Sequence, residues 1–379
     1  LEGSGQSKNH WLPETHFLPA NLFAFAIKYV HLRGQKPITA GKGQKTTASM
    51  NIRPFTCILG LCLLGWNALA QDPIFSQFYA APLQLNPAFV GSSHAPRAGV
   101  AYRNQWTGFN NAYRTYAVFY EQTLERLNTG VGFNVEGDDA GDGILRTLRA
   151  SALFSYRLQL TQRLAVKIGA EAGIHQTALD WNKLVFPDQL DPIQGPVITT
   201  SELRPDQPNK SLLDLSAGFL LVSPRFWLGL GLKHLNTPDQ GILFINDNLS
   251  GGLPMRYTVN GGMELPLGRS NKGGMSSFIS PNFLFASQGP YRQVNAGAYL
   301  AVGPVFGGAW FRHTLANSDA AIFLVGFRQD MFKLGFSYDM TVSQLASRAG
   351  GTYEVTLGLF FDRGRKRPVD WNDCGKMFR

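Results

Sequence analysis

Leu164-Ala-Val-Lys-Ile-Gly-Ala-Glu-Ala-Gly-Ile-His175 decides the fold. Leu164, Val166, Ile168, Ala170, Ala172 and Ile174 fall on one side of an extended chain; Lys167, Gly169, Glu171, Gly173 and His175 fall on the other. A two-residue repeat belongs to a strand with one apolar and one polar face. The same design returns where Leu213, Leu215, Ala217, Phe219 and Leu221 oppose Asp214, Ser216, Gly218 and Leu220. It returns again where Phe332, Leu334, Phe336, Tyr338 and Met340 oppose Lys333, Gly335, Ser337, Asp339 and Thr341. Residues 294–302 and 353–361 follow it too.

About fourteen such runs are expected, near 97–106, 113–123, 129–136, 145–158, 163–175, 212–222, 225–234, 255–265, 275–286, 292–302, 304–313, 320–329, 331–341 and 352–362. Many run to ~9–12 residues, beyond the ~5–6 of soluble strands and suited to crossing a bilayer at a tilt. Beginning with the second, every other link is short, as at Leu127-Asn128, Ser223-Pro224 and Gly303-Pro304, with only the one around Gly268-Arg-Ser-Asn-Lys-Gly273 longer, whereas two of the intervening links, roughly 176–211 and 235–254, are very long. A soluble sandwich alternates as well, but does not sort its links in this way. The expectation is an all-β transmembrane antiparallel β-barrel, because a sheet in hydrocarbon satisfies its backbone only by closing on itself. Gly169, Gly218, Gly229, Gly231, Gly297 and Gly335 then face the lumen, relieving crowding or leaving space for something inside. Tyr102, Tyr257 and Tyr338 suit an interface belt.

The net charge of +9 is confined to the ends. Residues 1–70 hold seven Lys or Arg against Glu2 and Glu14; the tail 363–379 holds six against Asp370 and Asp373. The body between is close to neutral and offers no basic face for phosphates, which argues against nucleic acid. Cys57, Cys62 and Cys374 form neither a disulfide framework nor a metal-ligand spacing, and no cofactor is expected.

Met50-Asn-Ile-Arg53, the apolar residues 54–65 and the small-x-small Ala68-Leu-Ala70 read as a secretory signal peptide over 50–70, cut between Ala70 and Gln71. Leu61 is too large for a lipoprotein box ending at Cys62. Met50 is taken as the start, and 1–49 as an over-extended reading frame or added sequence; a real extension is the alternative.

Residues 71–96 fit neither period. They carry Phe75, Phe78, Tyr79 and Phe89 with Pro73, Pro82 and Pro87, and precede the first strand. Such a piece is expected to fold up into the lumen or across the periplasmic mouth as a plug. The inward charges Arg103, Arg149, Arg157, Lys167, Glu171, Asp214, Lys233, Glu264, Lys333 and Glu354 read either as pairs that rigidify a plugged barrel or as the lining of a solute channel; interleaved signs favour the first. His175, His234 and His313 read as solitary rim or lumen residues. The run from Asp138 to Asp142 reads as an acidic hairpin tip rather than a calcium loop, lacking the downstream Glu. Ser151 and Ser155 have no accompanying His and Asp arrangement, so no enzyme is expected. In the long loop, Trp181, Phe186, Asp188 and Gln189, with Pro187, Pro192, Pro196 and Pro205, form a stiff candidate surface for a partner.

Gln71-Asp-Pro-Ile-Phe-Ser-Gln-Phe-Tyr79, Ala81-Pro-Leu83, Leu85-Asn-Pro-Ala-Phe89, Gly91 and Tyr102-Arg-Asn-Gln-Trp106 resemble the N-terminal signature of the PorP/SprF family. Gly141-Asp-Gly143, Ala170-Glu-Ala-Gly173, Asp180-Trp181 and Phe186-Pro-Asp-Gln189 extend the resemblance over essentially all of 71–362. It implies an outer-membrane barrel of the type IX secretion system of Bacteroidota, which also serves gliding motility. The motif positions carried over are Asp72, Pro73, Phe75, Ser76, Gln77, Tyr79, Pro82, Asn86, Pro87, Gly91, Arg103, Gln105 and Trp106. The implied partners are secreted adhesins or other cargo with a C-terminal targeting domain, other secretion components and outer-membrane lipid. The tail departs from the family's Cys-Pro pattern, since Gly375 follows Cys374 and Arg379 follows Phe378. An outer-membrane porin or hydrophobic-solute channel is the competing expectation.

Overall fold

The alternating segments become the staves of one antiparallel sheet. The computed structural model describes residues 71–361 except 94, 110, 192–194, 197–198, 206, 242–251, 269–276, 316, 330 and 344–345. The readings of residues 1–49, of the signal peptide with Cys57, Cys62 and Ala70, of Pro192, and of the tail 363–379 with Cys374 lie outside the described residues.

In chain order the strands are β1 (Arg97–Gln105), β2 (Tyr113–Leu124), β3 (Thr129–Ala140), β4 (Leu145–Thr161), β5 (Leu164–Leu179), β6 (Leu190–Asp191), β7 (Gly195–Pro196), β8 (Asn209–Val222) and β9 (Phe226–Lys233). They continue as β10 (Arg256–Met263), β11 (Leu265–Pro266), β12 (Phe278–Gln288), β13 (Tyr291–Val302), β14 (Val305–Thr314), β15 (Asn317–Gln329), β16 (Phe332–Thr341) and β17 (Thr352–Phe360). Each long strand pairs with its neighbours in the chain, and β10 pairs directly with β12. The ring closes where β1 meets β17, from Arg97 opposite Phe360 to Gln105 opposite Thr352. This is the closed fourteen-stranded antiparallel barrel expected from the alternation; β11 only extends the edge of β12, and β6 with β7 forms a small separate hairpin.

The wall is inside out relative to a water-soluble protein. Ile168 and Ile174 are 58% and 59% exposed, whereas Lys167 and Glu171 are 4% and 5% exposed. Apolar side chains gain by leaving water, so an apolar exterior of this extent is stable only against lipid tails. Phe323, Val325, Leu334 and Phe336 continue that exterior on β15 and β16.

The two ends of the barrel differ. Links of two to four residues join β2 to β3, β4 to β5, β8 to β9 and β13 to β14 at one end, where β1 also begins and β17 also ends. The 180–208 and 234–255 links lie at the other. In outer-membrane barrels the short turns are periplasmic and the long loops outward. The acidic hairpin tip needs correction: β3 runs to Ala140, so Asp138 and Asp139 belong to the wall and Asp142 alone of the three acids is in the turn. Cross-strand partners extend the strand, with Thr115 Oγ1 donating to Asp138 Oδ1 at 2.6 Å and Arg146 close to Asp139.

Residues 71–93 lie within the ring and take an S-shaped course. From Asp72, near the long-loop end, the chain drops to Tyr79, beside Tyr299 and the short-link end of β13. It climbs back to Gln84, whose carbonyl accepts from Arg256 Nη2 at 2.8 Å. Gln84 Nε2 donates to the Pro73 carbonyl at 3.0 Å and ties the two limbs together. The last limb descends to Ser93, whose carbonyl accepts from Thr123 Oγ1 at 3.0 Å, before β1 starts. Pro82 and Pro87 each open a single 3₁₀ turn, where a missing N–H costs nothing.

Candidate lumenal and outward site

An irregular segment buried in a polar lumen must find a partner for every backbone group. Three anchor points along residues 72–91 supply such partners.

At the long-loop end, Asp72 accepts from Arg149 Nη2 at 3.0 Å and lies 3.3 Å from Arg256 Nη1. The Asp72 carboxylate is also bonded to His234 Nε2, and Gln288 both accepts from its N–H at 2.9 Å and donates to its side chain at 3.2 Å. Arg149 further faces Asp214 at 3.3 Å and Glu136 at 3.9 Å. The expectation that His175 and His234 are solitary is corrected here. Their rings lie 6.3 Å apart, and Arg149 Nη2 reaches His175 Nδ1 at 3.2 Å. Folding brings together strand ends that are far apart in sequence. Among the described residues no group of three or more His, Cys, Asp or Glu side chains surrounds a metal position; the Arg149 guanidinium lies among the carboxylates of Asp72, Glu136 and Asp214.

A little further along, the N–H groups of Ser76 and Gln77 both donate to the Glu354 carboxylate, at 2.7 and 2.9 Å. Ser76 Oγ donates to Asp339 at 2.6 Å and accepts from Arg312 at 2.9 Å. Gln77 spends both ends of its amide, accepting from Thr356 Oγ1 at 2.8 Å and donating to Ser337 Oγ at 3.1 Å. Arg103 pairs with Glu354 at 3.5 Å and donates to the Ile74 carbonyl. Below this point Tyr79 stacks on Trp310 at 5.8 Å, and Lys333 Nζ sits 5.1–5.5 Å from the rings of Tyr79, Tyr299 and Phe306. Phe75, Phe78, Tyr79 and Phe89 are fully buried, each contributing about 1.5–3 kcal/mol of apolar burial.

The third anchor is the Asn86-Pro87 turn. Asn86 Oδ1 caps the Ala88 N–H at 2.8 Å, while its Nδ2 donates to the carbonyls of Phe219 and Leu230 at 3.0 and 3.1 Å. This turn rests on bare backbone of the wall: a Cβ at Gly169 would lie 2.2 Å from Ala88 N, and one at Gly218 1.9 Å from Asn86 Oδ1. The space these inward glycines leave is taken by the protein's own chain. Beyond the turn, Ser155 Oγ and Lys167 Nζ donate to the Val90 carbonyl at 2.7 and 2.8 Å, and the Gly91 N–H donates to Glu121 at 2.9 Å.

Gln105 and Trp106 lie elsewhere, on the long-loop rim of β1, where Trp106 packs edge-on against Tyr113 at 5.4 Å. Of the inward charges read from the alternation, Arg157 belongs at the short-link rim, donating to Asn128 Oδ1 at 3.0 Å. Arg256, Arg312, Glu121, Glu136 and Asp339 were missed as members of the lumenal network. For Asp339 the signal was available, since β16 alternates it onto the same face as Lys333. Two spaces beside the segment, one near Asp72 and one near Tyr79, measure about 40 and 20 Å³, room for water.

Outside, the 180–208 loop folds on itself. Trp181 and Phe186 pack at 4.8 Å, Gln189 Oε1 accepts from the Phe186 N–H at 2.8 Å, and Asp188 accepts from the Ser201 N–H at 2.6 Å and from the hydroxyls of Thr200 and Ser201. The Ser201 amide, with these hydroxyls, holds the Asp188 carboxyl below its ordinary range. A depressed carboxyl pKa stabilises the loop above the ordinary carboxylate pKa, and the contribution fades as pH falls through the lowered value. Asp188→Ala is expected to raise protease cleavage between 180 and 208 several-fold at pH 7 while leaving the barrel's thermal transition in place. Equal cleavage of both proteins would remove Asp188 from this role.

Among solved structures, the chain resembles Acinetobacter baumannii Omp33 (11% identity, 72% of this chain and 100% of that one, TM-score 0.39), BamA of Haemophilus ducreyi lacking POTRA domains 1–3 (10%, 70% and 70%, 0.33) and a variant of the Rh. blastica porin (6%, 70% and 99%, 0.31). No curated protein matches. The family described as type IX secretion system membrane protein PorP/SprF matches residues 67–359, well over half of the chain. With the motif-bearing segment folded inside a closed lipid-facing ring, this outer-membrane barrel belongs to the PorP/SprF family of type IX secretion system membrane proteins.

Proposed function

We propose that the barrel is a non-enzymatic component of type IX secretion that assists export, or retention at the surface, of secreted proteins such as gliding adhesins. Residues 71–96 serve as its plug. The outward loop bearing Trp181, Phe186, Asp188 and Gln189 serves as its contact with cargo that carries a C-terminal targeting domain. The observation that carries this reading is the filled lumen: a conduit for solutes needs a continuous wet path, and residues 74–90 are buried inside the ring except for the half-buried Ala80. The internal bonds of the loop lower the entropy lost on docking, which favours it as the contact surface. Removal of residues 50–70 ahead of Gln71 and contact of the basic tail 363–379 with periplasmic secretion components complete the proposal.

A photo-cross-linking residue at position 181 or 186 is expected to capture, in growing cells, a secreted protein with a C-terminal targeting domain. The same probe at Leu267, on the short-link side, is expected to miss it. Capture from both positions, or from neither, would defeat the cargo role of the loop. Wild-type barrel in a planar bilayer is expected to pass little current, and a large steady conductance would favour the porin reading instead. Pull-downs with and without residues 363–379 test the tail, and identical partners would remove it from the proposal.

A further inference from the structure

The inner segment runs through the lumen in a direction with a consequence for processing. Asp72 is held by Arg149, by Arg256 at the first position of β10, by His234 just past the end of β9 and by Gln288 at the last position of β12. These positions border the long-loop end. Twenty-one residues later, Ser93 is bonded to Thr123 beside the short link between β2 and β3, and Lys167 near the start of β5 holds Ser92 Oγ at 2.8 Å. Gln71 is exposed, next to Asp72 at the long-loop end. From Gln71 to β1 the chain therefore passes from the long-loop end to the short-link end.

We infer that Gln71 is presented at the cell surface, and that the barrel closes only around a chain whose signal peptide has already been removed. This rests on the outward orientation of the long loops and on cleavage ahead of Gln71, both part of the proposed reading. A chain still held in the inner membrane by residues 50–70 would have to double back from Gln71 to the periplasm through the ring. An extended chain needs a cross-section close to the ~4.8 Å strand spacing by the ~10 Å sheet spacing. Residues 74–90 already lie buried inside the ring except for the half-buried Ala80, and the two spaces beside them near Asp72 and Tyr79, about 40 and 20 Å³, are too small for it. Cutting the chain free is thus a precondition for seating the plug, and the new amino terminus ends among the outward loops, within the face offered to cargo.

A short epitope between Gln71 and Asp72 keeps the cleavage junction. Companion tags at 199–200 in the long loop and within the 267–277 link mark the two sides. Antibody on intact cells is expected to reach the Gln71 tag and the long-loop tag equally, and the link tag only after the outer membrane is opened, with mass spectrometry showing Gln71 as the first residue. A Gln71 tag hidden in intact cells while the long-loop tag is reached overturns the threading direction. A hidden long-loop tag with an accessible link tag overturns the orientation beneath it, and with it surface display. In a second arm, Ala68→Arg with Ala70→Trp blocks cleavage; the uncut chain is expected to lose the heat-modifiable, folded band. A cleavage-blocked chain that still runs as a folded barrel with residues 72–93 protease-resistant overturns the ordering.

Discussion

Arg149→Met is expected to cost the folded barrel about 3–5 kcal/mol, because one guanidinium satisfies carboxylates from three parts of the chain. Methionine approximates the volume of the stem and removes the charge. Asp72 would retain His234 and Arg256, and Asp214 would retain His234, but Glu136 would lose its cation partner. Breaking a buried pair costs more than the pair is worth, since the remaining charge stays desolvated. The measurement is the urea midpoint of the heat-modifiable band in detergent or lipid. Asp72→Asn in the Arg149→Met background should then cost less than in the wild type, by a coupling of roughly 0.5–3 kcal/mol. An unmoved midpoint, or strictly additive effects, would mean that the cluster does not hold the segment.

Gly218→Val should open the lumen without opening the wall. The β8 backbone is fixed on both sides by β5 and β9, so a new inward side chain cannot retreat. Its first carbon already falls 1.9 Å from Asn86 Oδ1, and the turn must leave the Phe219 and Leu230 carbonyls. Overpacking of this kind costs about 1–3 kcal/mol, comparable to the bonds that seat the turn. The expected result is a barrel that still shifts on heating, conducts well above wild type in planar bilayers, and is cleaved by protease within 82–93. Gly358→Ala is the control: its added carbon meets Phe360 at an ordinary 3.5 Å and should change neither property. Wild-type conductance in Gly218→Val would show that the turn is not what closes the lumen.

The wall was legible in the chain because a strand with lipid on one face and a polar lumen on the other carries its environment in every second residue. Ile168 beside Lys167 needs no tertiary knowledge to be assigned to lipid and lumen. Strand ends were less legible: β3 continues to Ala140 through residues whose alternation is broken by Gly137 and two aspartates, and only pairing with β2 and β4 reveals it. In the lumen, local pattern announced Asp72, Ser76, Gln77 and Asn86 as special without saying what they touch. Their partners lie as many as 279 residues away, as with Gln77 and Thr356.

By itself, then, the sequence determined the repeating wall, the sorting of its links and the presence of an aromatic, proline-broken segment ahead of the first strand. These are properties of neighbours along the chain, and period and composition record them. Closure decided the rest. Only when β17 meets β1 does Glu354 come to face the backbone of Ser76. Only when the β4, β5, β9 and β10 ends share one rim do Arg149, His175, His234 and Arg256 gather around Asp72. Charges from distant strands come into reach because a ring makes its circumference an interior, and that geometry is absent from any single stave.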